Sequence, residues 1–510
     1  MSTVDWIIVA GYLAVVFGIG IYFSRNQKTT EDYFLAGKSV PGWVVVFAIV
    51  GTMISSTTFV GHPGNVYASD MWNLPSFLML PFVMLFVSRY VVVFYRRTIK
   101  MSIYDYLERR FSYFARAYGA AAFIVSRVAD MSATLYFLAL PVSFLSGMAV
   151  WKVVVIVGVV TLVMTVAGGI AAVVYADVLQ GVLLIGGGLV CLGIALFRPA
   201  QGPVAVLQTA WDGGKFALGN TGFSWVTNNI WFYIVVGGIW AVQRYALDQH
   251  IVQKYLVAQT DRQAKLSAYF GAIACLPIWL LFLTFGACLW AFFQLTGIPL
   301  PAEVLAKTDN IVPYFIKTQL PVGLIGLVVA SLMAAAMSSL DSDLNSMATV
   351  IVDDFYPRLR PHATDRQRLR VGRAAVTVLG ILSIVFSLSW IGGVGAAMEF
   401  GVQLFSIATA GMLGLFVLGA LTKRANARGA VAGIVACGLF TAWATLTSVK
   451  LPVLDRVLLD LGPLNFKLHP VLIGVFNHVI VFVVGLATSL CFPLDQRPVV
   501  ASEQRQSGQA

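Results

Sequence analysis

Apolar stretches of about twenty residues recur along the whole chain, and no other feature limits its fold so strongly. Residues 178–197 are an example, with no charged side chain among them. A hydrocarbon core of about 30 Å needs roughly twenty helical residues to cross it. Lipid offers no partner to backbone N–H and C=O groups, so such runs fold as helices. A membrane strand would show about ten residues of alternating polarity instead, and that pattern is missing. Composition agrees: 59% of residues are hydrophobic and 11% charged, where soluble domains carry about 25% charged residues. A soluble domain of 510 residues could not hide so much apolar side chain. The sequence predicts an all-α polytopic membrane protein.

Thirteen apolar segments can be counted, numbered here 0 to 12. They run 4–23, 41–69, 73–98, 114–148, 150–168, 170–197, 221–250, 264–295, 318–350, 370–392, 395–421, 426–447 and 469–492. The loops between them are too short for a soluble domain. Placing the N-terminus outside puts 23 of the 34 Lys and Arg residues on inner loops, their flanks and the tail, Lys254 among them. The positive-inside rule then gives N-terminus out and C-terminus in. The net charge of +11 is therefore a topology signal that also attracts anionic lipid, and it does not imply a nucleic-acid partner. The five cysteines, Cys191, Cys275, Cys288, Cys437 and Cys491, lie in apolar runs without metal or disulfide spacing. They read as small packing residues. Asp5 precedes the first apolar run and no basic segment leads it, so no cleavable signal peptide is expected.

Ionisable groups inside spans are costly and mark function by default. Here they are Arg89, Arg127, Asp130, Asp177, Arg244, Asp248, Asp341, Asp343 and Glu399. Arg89 is expected to snorkel and Asp248 to lie near the inner end of its segment, whereas Asp130 and Asp177 sit deeper in apolar sequence. Ala335, Ser338, Ser339 and Ser342 fall on one helix face. Such a face either packs closely against another helix or offers oxygens to a monovalent cation; Asp341 and Asp343 nearby favour the cation. Residues 51–58, Gly-Thr-Met-Ile-Ser-Ser-Thr-Thr, are unusually polar for mid-span. They make either a helix with a tightly packed small-residue face or a broken helix whose carbonyls line a cavity, as in secondary transporters.

Four stretches resemble the sodium/solute symporter family, in order and spacing. They are Asp32-Tyr-Phe-Leu-Ala-Gly37; Gly168 through Asp177 to Gln180; Asp248-Gln249-His-Ile-Val-Gln253-Lys-Tyr-Leu256; and Met337-Ser-Ser-Leu-Asp-Ser342 with Asn345-Ser346. The resemblance covers nearly the whole chain. It implies a leucine-transporter-type core of two inverted five-helix repeats, segments 1–5 and 6–10. The chain then divides into a peripheral helix and inner loop (1–40), the core (41–421), two peripheral helices (422–494) and a cytoplasmic tail (495–510).

The resemblance also implies a sodium site: the carbonyls of Gly51, Ile54 and Ala335 with the hydroxyls of Ser338 and Ser339. A second sodium site, present in some relatives, would map to Asp177, Ser338 and Ser342, with Asp341 where a hydroxyl is expected. Asp177 as a structural hydrogen-bond acceptor is the other reading. Substrate candidates are Ser55, Thr58, Asp130, Gln243, Arg244, Tyr245 and Gln403. The Ser-Ser-Thr-Thr-Phe stretch at 55–59 is similar to that of sialic-acid symporters, but Asp130 stands where those carriers place an arginine for the substrate carboxylate. Sialic acid is then disfavoured unless Arg127 or Arg244 takes over.

The reading at this stage is sodium-coupled import of a small polar solute, sugar-like by preference, through alternating access at a cell membrane. Sialic acid, an amino acid, a carboxylate, and proton coupling are the alternatives. Sodium is the expected coupling ion, and no obligatory protein partner is evident. A channel would need a continuous polar lining. An enzyme would need a constellation that His62, His250, His362, His469 and His478 do not form by spacing. A transporter-like sensor would need a longer tail.

Overall fold

Among the described residues nine helices are long and apolar enough to cross a bilayer, and two bent pairs of shorter helices pass the same test together. The structure is a computed structural model. It describes residues 1–493 apart from 26, 228, 306–307, 390, 392–410, 449, 452–455, 458 and 470–471. In chain order the helices are α1 (Thr3–Ser24), the pair α2 (Gly42–Met53) and α3 (Thr57–Ala68), α4 (Leu74–Thr98) and α5 (Tyr113–Ser146). There follow α6 (Val150–Phe197), the pair α7 (Ile230–Ala246) and α8 (Gln249–Leu256), α9 (Asp261–Thr296) and α10 (Leu324–Leu359). Then come α11 (Asp365–Ser389), α12 (Met412–Leu421), α13 (Ala427–Ser448) and α14 (Leu472–Leu490). Pairing between Lys450–Leu451 and Arg456–Val457 is the only strand structure among the described residues.

Segments 4 and 5 of the sequence form one 48-residue helix, α6, kinked at Gly169 (φ 56°, ψ −159°). A Cβ there would lie 2.6 Å from the Tyr33 carbonyl oxygen, so only glycine lets the short helix Thr30–Leu35 press against the kink. Tyr33 then donates its hydroxyl proton to the carbonyl of Thr165 at 3.0 Å. Segment 10 is described only from residue 411.

Helix α10 is the centre of the molecule: 78% of its apolar window is buried, against 22% for α1. It packs along α6 and α5, while α6 also runs against α1 and α2. Apolar side chains gain nothing by leaving lipid for protein, so small residues that let backbones meet decide these contacts. At the start of α10, Gly326 admits the backbone of Asp5. Asp5 caps α1 through Ser2 and accepts the N–H groups of Gly323 and Gly326, each at 2.8 Å.

Candidate functional site

The polar run at 51–58 breaks its helix. Ile54 adopts an extended backbone (φ −102°, ψ 101°), and α2 and α3 meet at a 62° bend. The hydroxyl face of α10 packs against this break. Ser338 Oγ donates to the Gly51 carbonyl, Ser339 Oγ to that of Thr52 at 3.3 Å, and Ser342 Oγ lies 3.1 Å from Thr52 Oγ1. Gly51, Ile54, Ala335 and Ser338 are buried. The implied sodium ligands thus lie on the two elements that meet, with Gly51 and Ser338 in direct contact. A cluster of neutral oxygens held between two helices suits a weakly bound hard cation.

Asp177 comes to the same place from α6. A Cβ on Gly51 would lie 3.2 Å from the Asp177 Cβ, so the glycine is what allows this approach. The carboxylate pairs with Lys254 on α8, and both side chains are fully buried. Lys254 was assigned to an inner loop on charge count, and the structure corrects this: a chain count cannot show that the residue belongs to a second broken helix. Asp341 Oδ1 accepts from Ser342 Oγ at 3.2 Å. Asp177 Oδ1 and Asp341 Oδ2 are buried without a hydrogen-bond partner.

The second break was not foreseen either. Helices α7 and α8 bend by 52° across Leu247 and Asp248. Asp248 therefore sits at a mid-chain break rather than near a span end. It accepts from Arg244 at 2.7 Å and lies 2.6 Å from His250 Nδ1. Beyond the break, Gln253 Nε2 faces the Phe34 carbonyl (2.7 Å), Asn345 Oδ1 (2.8 Å) and Thr349 Oγ1 (2.9 Å), which anchors α8 to α10. Gln249, also buried, accepts from the Ile103 N–H at 3.0 Å and donates to the Met101 carbonyl at 2.7 Å, so the two glutamines account for polar positions in the 248–256 stretch.

Arg127 pairs with Asp130 at 3.0 Å and approaches Asp343 at 3.7 Å. Arg127, Gln243, Arg244 and Asp248 line a cavity of about 250 Å³. The Nε atoms of both arginines are buried and unpartnered. Asp130 has a half-exposed side chain. Tyr245, the neighbour of Arg244, points elsewhere: it is buried, with its hydroxyl 4.0 Å from Cys275 Sγ. Ser55 lies at the α2–α3 break and Thr58 at the start of α3, and Thr58 is buried. Gln403 and Glu399 lie outside the described residues. No group of three His, Cys, Asp or Glu side chains able to hold a metal occurs among the described residues.

Two broken helices with buried oxygens and charges at the breaks have the architecture of a secondary transporter. The family model of the sodium:solute symporter family matches residues 33–437. The sodium/sialic acid symporter NanT of Aliivibrio fischeri is 30% identical over 96% of this chain and 94% of its own length. The sodium/glucose cotransporter of Vibrio parahaemolyticus is 27% identical over 96% and 91%. The substrate-bound, outward-open structure of a Na+-coupled sialic acid symporter superposes with a TM-score of 0.88 at 27% identity, covering 98% of this chain and all of that one. The chain belongs to the sodium:solute symporter family. It has the leucine-transporter-type core and is a sodium-coupled transporter rather than an enzyme.

Proposed function

We propose that this protein imports an acidic sugar, with sialic acid as the first compound to test, together with sodium. The observation that carries the substrate class is the pair of arginines, Arg127 and Arg244, which line one cavity. A guanidinium is the side chain best shaped to receive a carboxylate. The relatives named as sialic acid symporters support the same class. Arg127 lies one helical turn from Asp130, so the basic group remains on α5 although the aligned position is acidic.

Sodium binds first in this scheme, at the carbonyls of Gly51, Ile54 and Ala335 and the hydroxyls of Ser338 and Ser339. Its occupancy fixes α10 against the α2–α3 break and favours the outward-open form. Solute then binds, the site closes, and both are released inward. Sodium and solute strengthen each other's binding by the same factor, because linkage is reciprocal. The gradient supplies the work, with about 2.3 kcal/mol per charge for each 100 mV of membrane potential. The N-terminus lies outside and the C-terminus in the cytoplasm.

A neutral sugar is the second reading. It is favoured by Asp130, Asp248 and Asp343, three carboxylates set around two arginines. Carboxylates accept readily from sugar hydroxyls. Competition separates the two: labelled sialic acid uptake is measured with excess unlabelled sialic acid, galactose, glucose or lactate. Sialic acid alone should compete strongly. Sodium-dependent uptake of a labelled neutral hexose, with none of labelled sialic acid, would overturn the first reading.

A further inference from the structure

Beside the sodium ligands lies a cluster with one positive and two negative side chains. Asp177 (α6) and Asp341 (α10) are fully buried, as is Lys254 (α8). The Lys254 ammonium takes Asp177 Oδ2, which leaves Asp177 Oδ1 and Asp341 Oδ2 as the unpartnered oxygens. Asp341 stands within electrostatic reach of both Asp177 and Lys254. Thr52, Ser338 and Ser342 surround the cluster with hydroxyls that bond to one another or to helix carbonyls. Other charges belong to separate pairs, since Asp343 turns toward Arg127 and His250.

A buried carboxylate needs a cation or a proton to remain in a low-dielectric interior. Of the two carboxylates, Lys254 already matches one. We infer that Lys254 is a tethered cation held in the place of a second sodium at Asp177, so that the protein binds one sodium ion, and that this ammonium couples ion occupancy to the position of α8. The charge count fits one monovalent cation: with all three groups ionised, the formal net charge of the side chains is −1, which a single sodium neutralises. Lys254 is carried on the short arm beyond the second break. Any movement of that arm therefore moves a charge relative to Asp177 and changes how strongly the site holds sodium. The inference rests on sodium coupling and is independent of which solute is carried.

The test is equilibrium binding of ²²Na+ to purified protein. The wild type and Lys254→Arg should each bind one sodium. Lys254→Gln leaves two unmatched carboxylates and should bind two. Asp177→Asn removes the negative excess and should weaken sodium binding by roughly tenfold or more. Asp177→Asn/Lys254→Gln restores the net charge of −1 and should return to one sodium with affinity near the wild type. Two sodium ions on the wild type would overturn the inference, as would a single ion on well-folded Lys254→Gln. If Lys254→Gln fails to fold, Asp177→Asn decides: unchanged sodium affinity in that variant would overturn it. No sodium binding by the wild type would instead count against sodium coupling itself.

Discussion

At the scale of single residues, the neutral oxygens at the α2–α3 break carry the sodium reading. Ser338→Ala/Ser339→Ala removes two of them. A hydrogen bond or dipole contact to a charge contributes about 1.5–3 kcal/mol, so the sodium concentration for half-maximal uptake should rise by roughly tenfold or more, with solute specificity unchanged. An unchanged sodium dependence would remove these hydroxyls from the site. Arg127→Lys and Arg244→Lys keep the charge but lose the planar fork. The residue that holds the solute carboxylate should show a raised solute KM in this variant, and the other should not. The hydroxyl face was legible in the sequence because serines at helical spacing stand out in an apolar segment. Lys254 was not, because a lysine near a span end reads as a loop charge until the fold shows it against Asp177. The arginine pair was half legible: both residues stood out as embedded charges, but only the fold brings Arg127 and Arg244 to one cavity.

At the scale of elements, breaks and kinks set where the site forms. The first break was legible from Gly51 through Thr58. The second was not, since Ala246-Leu-Asp-Gln249 contains neither glycine nor proline to mark a break. Gly169 is the clearest backbone test. Gly169→Ala would strain a residue at φ 56° and drive a methyl group against the Tyr33 carbonyl, at a cost of about 1–3 kcal/mol. Thermal unfolding in detergent should show a lower Tm for this variant. Gly193→Ala meets nothing within 4 Å and should leave Tm unchanged or slightly raised. Equal behaviour of the two would contradict a role for the kink. At the end of α10, Arg116 donates to Asp354 at 2.5 Å and Glu108 at 2.9 Å. Asp354 is fully buried. Arg116→Met would leave that carboxylate unmatched and should destabilise the protein by about 3–5 kcal/mol, again read as a fall in Tm.

At the scale of the whole molecule, the all-α membrane class followed from apolar length and the leucine-transporter-type core from the family resemblance, while the arrangement of helices around α10 required the three-dimensional structure. Orientation is testable through cysteine chemistry. Four native cysteines are buried and Cys491 is exposed, so a Cys491→Ser background should be silent to an impermeant thiol reagent. On that background, Gly214→Cys should be labelled from outside intact cells and Lys423→Cys only after the membrane is opened. The reverse pattern would invert the topology. The central claim, that sodium drives solute through a site between the α2–α3 break and α10, is tested most directly by solute accumulation in proteoliposomes under an inward sodium gradient. The prediction is concentrative uptake of sialic acid that needs the gradient and is lost in Ser338→Ala/Ser339→Ala at low sodium. Uptake that ignored sodium and followed an imposed pH gradient would contradict it.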